Sequence, residues 1–131
     1  MNSYLKKPFD SDRPIYIQVR EMIEDQIINE QLKENEQAPS TNQLVNFYKI
    51  NHITVAKGVN QLVDEGILYK KRGIGMFVAS GARKKLIAQR KETFIDDYIV
   101  TLVHEANKLG FSETDIISLI REVKEREKNE H

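Results

Sequence analysis

Between residues 39 and 79 the spacing of apolar residues changes its period, and that change limits the folds open to the chain. Ser40 and Gln43 form a Ser-x-x-Gln capping box ahead of Leu44, Val45, Phe47 and Tyr48, which predicts a short helix. Asn51 supplies an N-cap for a second helix, with Ile50 and Val55 at the spacing of a hydrophobic staple. Val55, Val59 and Leu62 then recur at helical intervals up to Gly66, which stands where a left-handed residue closes a helix. Residues 67–71 and 76–79 read as strands joined through Arg72, Gly73, Ile74 and Gly75. Two short helices separated by Lys49 and Ile50, with a hairpin behind them, predict a helix-turn-helix carrying a wing.

The face of the second helix turned away from its valines carries His52, Ile53, Ala56, Lys57 and Asn60. It is short of charge for an ordinary solvated face. The formal net charge of the whole chain is zero, an odd profile for a protein that coats nucleic acid, but the distribution is uneven. Residues 40–79 hold five basic and two acidic groups, and residues 81–91 hold five basic groups and no acid. Residues 14–36 hold two basic groups against six acids, and residues 92–131 five against ten. Positive charge is therefore gathered on the hairpin and just after it. Cysteine is absent, which leaves no disulfide framework and no thiolate metal site. No apolar run reaches the roughly 18 residues of a membrane span, and no signal peptide opens the chain, so a cytoplasmic location is expected.

Around this centre, residues 1–13 lack periodicity and predict a loose arm. Pro14 suits a first helical position, and Ile15, Val19, Met22, Ile23 and Ile27 mark an amphipathic helix ending near Asn29 or Glu30. Its outer face, with Glu21, Glu24 and Asp25, is expected to be solvated. The connection from Gln31 to Ala38 is polar. After the hairpin, a basic start leads into a long helix with a broad apolar stripe of Phe94, Ile95, Tyr98, Ile99, Leu102, Val103, Ala106 and Leu109. Gly110 stops it. Ser112 and Asp115 resemble a capping box, Phe111 and Ile116 a staple, for a last helix carrying Ile116, Ile117, Leu119, Ile120 and Val123. That helix is expected to dissolve into the charged tail from Lys124 to His131. A stripe so wide needs a partner surface, and a second copy of the chain is the most economical one.

Several spaced motifs now agree in order: Pro14-Ile15-Tyr16-x-Gln18, Pro39-Ser40, Thr54-Val55, Leu62-x-x-Glu65-Gly66-Ile67-Leu68 and Arg72-x-x-Gly75-x-Phe77-Val78. Together they resemble the signature of the GntR (gluconate-operon repressor) family of bacterial transcription regulators. Asn35 stands where that family usually has glycine, and asparagine tolerates the left-handed conformation next best. The short helical appendage resembles the YtrA-type branch, whose members lack a large effector domain and dimerise through these helices. The resemblance implies a mainly α fold with a small β-hairpin. It places a winged helix-turn-helix for DNA over residues 1–79 and a two-helix dimerisation region over residues 80–131. It also implies a homodimeric regulator, in most cases a repressor, on an inverted-repeat operator.

On that reading the second helix of the motif enters the major groove. The candidate DNA contacts are Ser40, Thr41 and Asn42 at the start of the first helix, His52, Ile53, Thr54, Lys57 and Asn60 on the second, and Lys70, Lys71, Arg72, Gly73 and Gly75 on the wing. Asn60 has the chemistry to read adenine and equally that of a solvated side chain, and Lys57 suits phosphate or solvent better than a base. Thr54 resembles a family phosphate contact, though a mid-helix threonine also bonds back to its own turn. Three departures stand out: Asn42, His52 and Ala56 occupy places where the family commonly has arginine. Fewer phosphate contacts imply weaker binding or a different operator. They motivate a rival reading, a winged-helix module that works through protein contacts with weak or no DNA binding. His52 is read as a helix-start residue near phosphates before a pH switch, and His104 as structural before a metal ligand. Residues 81–91 fit a DNA-flanking linker or a solvated helix start. Gly58 in mid-helix is costly unless helices pass closely there. No nucleophile–base pair, phosphate loop or metal spacing is present, so neither an enzyme nor a cofactor is expected. A small-molecule effector stays open, and no residue pattern indicates one.

Overall fold

The computed structural model describes residue 9 and residues 12–130, so the expected arm lies largely outside the described residues. The elements run α1 (Ile15–Ile28), α2 (Thr41–Tyr48), α3 (His52–Asp64), β1 (Leu68–Lys71), β2 (Gly75–Val78) and α4 (Ala82–Phe94). A π-helical stretch, Ile95–Ile99, leads into α5 (Val100–Leu109), and α6 (Glu113–Asn129) follows. The fold is mainly helical with one antiparallel hairpin, as the sequence implies. The chain divides into two compact units, Met1–Gln89 and Arg90–His131.

Local chemistry sets the helix starts. The Ser40 hydroxyl accepts from the Gln43 N–H at 3.0 Å, and the Gln43 side chain accepts from the Ser40 N–H at 2.8 Å. Asn51 Oδ1 accepts from the Ile53 N–H at 2.7 Å and fixes the first turn of α3. Pro14 sits one place earlier than expected, as the cap of α1. Between α2 and α3 the chain reverses at Lys49, which takes φ 57°, and Asn35 takes φ 66°.

The core of the first unit joins Val19, Ile23 and Ile27 of α1 to Leu44 of α2 and to Val55, Val59 and Leu62 of α3. Ile67, Leu68 and Val78 close it from the hairpin, and Ala82 and Leu86 from the start of α4. The α1–α3 crossing depends on Gly58. A Cβ placed there would stand 2.5 Å from the Tyr16 carbonyl oxygen, so only glycine lets the two backbones meet.

A second tie lies at the far end of α3. Arg20 grips both Glu65 carboxylate oxygens, at 2.6 and 2.7 Å, and also reaches Gln61 at 2.9 Å and Glu24 at 3.3 Å. Glu24 is therefore buried, contrary to the solvated face expected for it, because its partner Arg20 is one turn earlier on the same helix. The Arg20 hydrogen bond holds the Glu65 carboxyl below the ordinary glutamate range against the opposing effect of burial.

The hairpin pairs Leu68 with Val78 through to Lys71 with Gly75. The polar connection before α2 also pairs with it. Asn35 N–H donates to Val78 O at 2.7 Å, Val78 N–H to Glu36 O at 3.0 Å, and Ala38 N–H to Met76 O at 2.9 Å. Gln37 bridges Phe77 at the centre of this added strand.

In the second unit, Gly110 ends α5 with φ 75°, and the Ser112–Asp115 capping box forms with bonds of 3.0 and 2.9 Å. The Ser112 bonds hold the Asp115 carboxyl below its usual range. The helix α6 reaches Asn129, past the loss of order expected from Lys124 onward. Arg126 pairs with Glu122 one turn back at 3.7 Å, and Arg126 and Lys128 lie at the C-terminal end, where cations favour a helix.

Gly58→Ala should destabilise the first unit by about 1–3 kcal/mol through overpacking, although alanine ordinarily gains about 1 kcal/mol inside a helix. Urea unfolding that finds the variant more stable would refute the close crossing.

Glu65 is partly solvated, so the Arg20 pair is screened and its contribution modest. Because the folded pKa is depressed, that contribution is complete above the ordinary carboxyl pKa of about 4.3. It is lost as the pH falls through the lower folded value. Glu65→Gln should lower Tm at neutral pH, and the gap to the wild type should close as the solution is acidified below about pH 4. A pH-independent gap would assign the loss to something other than the ion pair.

Candidate nucleic-acid interface

The apolar repeat of α3 places Val55, Val59 and Leu62 in the core and leaves His52, Ile53, Lys57 and Asn60 exposed on the other side. Thr54 and Ala56 are half-buried at the margins of that face. Ser40 and Thr41 are half-buried at the start of α2, where the Ser40 oxygen is engaged in its cap, and Asn42 is exposed beside them. Lys70, Lys71, Arg72 and Gly73 are exposed on the hairpin, and Gly75 is half-buried. The candidates thus lie on α2, α3 and the hairpin of one compact unit, with β1 packed against α3.

Two of the cations do not extend freely. Lys57 Nζ sits 4.0 Å from the centre of the Tyr16 ring. Lys71 Nζ sits 4.4 Å from the centre of the Phe77 ring, which is itself stacked on Tyr69. Each ammonium is drawn toward a ring face by its quadrupole. Lys70 and Arg72 show no such ring contact among the described residues.

The basic segment after the wing is an exposed helix start in α4, and two of its cations are also engaged locally. Arg83 Nε donates to the Ile28 carbonyl at 2.9 Å, and the Lys85 ammonium donates to the Glu65 carbonyl. Both cations therefore close the C-terminal ends of α1 and α3, where carbonyls lack helical partners and carry partial negative charge.

The wing tip is braced on two sides. Ile74 N–H donates to Lys71 O at 2.9 Å, and the Gln37 side-chain amide donates to Ile74 O at 3.1 Å. Gly73 takes φ 78°, so the tight reversal needs its lack of a Cβ. The brace holds an exposed isoleucine, 64 % accessible, between Arg72 and Gly75. Sequence reading omits both Gln37 and Ile74 from the site. Gln37 acts across 37 residues, a separation no local pattern reveals.

In the second unit the residues expected at a dimer interface stay largely uncovered in the single chain. Ala106 is buried and Ile116 half-buried, while Phe94, Ile95, Tyr98, Ile99, Leu102, Val103 and Leu109 are exposed. Ile117, Leu119, Ile120 and Val123 on α6 are exposed as well. Between α5 and α6 an open cleft of about 400 Å³ is lined by Leu102, Val103, Phe111, Ile116 and Ile117, with Asn107, Ser112 and Glu113 at hand. Among the described residues, no group of three or more His, Asp or Glu side chains is placed to hold a metal ion, and no helix is long and apolar enough to cross a membrane.

Residues 15–78 match the family model described as bacterial regulatory proteins, gntR family. The YtrA transcriptional repressor of Bacillus subtilis is 27% identical over 113 residues, covering 86% of this chain and 86% of the relative. A solved GntR-family transcriptional regulator from Bacteroides thetaiotaomicron has 32% identity and a TM-score of 0.67, covering 86% of this chain and 98% of that one. The DNA-binding domain of AraR, solved in complex with operator ORX1, has 31% identity and a TM-score of 0.50, covering 56% of this chain and 90% of that one. Of two further curated regulators the chain spans only 31% and 25% of their length. These relatives are transcription regulators rather than enzymes. On the matched motif and on its likeness to a family member along nearly that member's whole length, this chain belongs to the GntR family of bacterial regulatory proteins.

Proposed function

We propose that the protein is a DNA-binding transcription regulator, a repressor that works in the cytoplasm as a homodimer on an inverted-repeat operator. The observation that carries the reading is the exposed face of α3, with His52, Ile53, Lys57 and Asn60, beside a braced wing tip that presents Arg72. An α-helix fits the major groove, and an exposed arginine on a glycine-bearing hairpin suits the phosphates or the minor groove. The AraR domain bound to its operator and the repressor YtrA support the same role. In this reading residues 1–79 bind DNA and residues 80–131 dimerise. Dimerisation is supported by the large apolar side chains of α5 and α6 that a single chain leaves uncovered. Half-site centres then lie about one helical turn apart, roughly 10 bp, or a multiple of that.

Arg72→Ala should weaken binding to operator and scrambled duplex by similar factors and flatten the salt dependence, because a phosphate contact carries little sequence information. Titration of both duplexes at several salt concentrations measures this. An unchanged affinity and salt slope would put the protein-interaction reading, favoured by the missing arginines at Asn42, His52 and Ala56, ahead of the DNA reading.

Light scattering should find two chains per particle at micromolar concentration. Removal of residues 92–131 should leave a folded monomer with weaker operator binding. A monomeric intact chain would end the dimer proposal.

A further inference from the structure

Ile53 is 77 % exposed, the most exposed of the large hydrophobic side chains on the described surface. It lies in the first turn of α3, and its N–H is held by the Asn51 cap at 2.7 Å. The helix beneath it is seated at its middle by the Gly58 crossing on Tyr16 and at its C-terminal end by the Arg20 grip on Glu65. The isoleucine is therefore carried on a rigid backbone rather than on a loop that could fold over it. Its exposed neighbours on the face, His52, Lys57 and Asn60, are all hydrogen-bonding groups, and Ala56 is half-buried at the margin. An isolated apolar group among polar ones matches the major-groove edge of an A·T pair, where the thymine methyl stands beside hydrogen-bonding atoms.

We infer that Ile53 is a specificity-determining residue that reads the C5-methyl group of one thymine in each operator half-site. The inference rests on the DNA-binding reading above. It adds a base preference that comes from apolar contact, so it persists at high salt, where phosphate contacts fade. A buried methyl supports a discrimination of about fourfold between thymine and uracil.

The operator need not be identified beforehand for the test. The full chain selects binding sequences from a random duplex library, and each thymine of the selected site is replaced singly by uracil, which removes only the methyl. Wild-type protein should lose about fourfold in affinity at one position per half-site, and Ile53→Ala should bind the thymine and uracil duplexes equally there. Alanine is a better helix former and Ile53 is outside the core, so this variant keeps its fold. The inference is overturned if no uracil substitution weakens the wild type, or if Ile53→Ala remains as sensitive as the wild type. A selection that enriches no sequence would remove the DNA-binding reading itself, and this inference with it. Enrichment without methyl sensitivity would remove the inference alone.

Discussion

The carbonyl of Tyr16 lies where a side chain at position 58 would have to be, and the architecture of the first unit follows from that close crossing. A helix of 13 residues is marginal by itself in water. What keeps α3 helical is its seat: Val55, Val59 and Leu62 against α1, the Arg20 fork on Glu65, and the Lys85 ammonium on the Glu65 carbonyl that caps it. The same seat sets the height at which His52, Ile53, Lys57 and Asn60 stand above the core. A glycine that lowers intrinsic helix propensity is thus the residue that makes the helix possible in its place.

The features legible in the sequence are those encoded within a few residues. The Ser40–Gln43 and Ser112–Asp115 boxes, the Asn51 cap and the left-handed Asn35 each depend on neighbours in the chain, and each is present as read. The division of α3 into a core face and an exposed face follows from its period, so the candidate contacts on it could be named directly. Contacts between distant segments escaped. Nothing local says that residues 35–38 pair with β2, that Gln37 braces Ile74, or that Ala82 and Leu86 finish a core begun by Val19. Charge was the least legible property. The run of five cations after the wing reads as a DNA-flanking linker or a solvated helix start, and neither reading foresees that Arg83 and Lys85 donate to carbonyls at the ends of α1 and α3. Lys57 and Lys71 lean on aromatic rings.

The second unit poses a different physical problem. The Ser112 box starts α6 and the left-handed Gly110 ends α5, but Ala106 is its only buried apolar side chain among the described residues. Helix formation and core formation are therefore separate there. Over residues 92–131 acids outnumber bases by ten to five, and the cationic wing belongs to the other unit.

The added segment over residues 35–38 covers one side of β2 and leaves β1 as an outer strand on the other. An outer strand offers unpaired amides and carbonyls to any other chain in solution, and natural proteins blunt such strands with lysine. Lys70 and Lys71 stand on that strand. Two candidate DNA contacts would then also keep free molecules from joining edge to edge, and colloidal behaviour, as much as affinity, would constrain what can replace them.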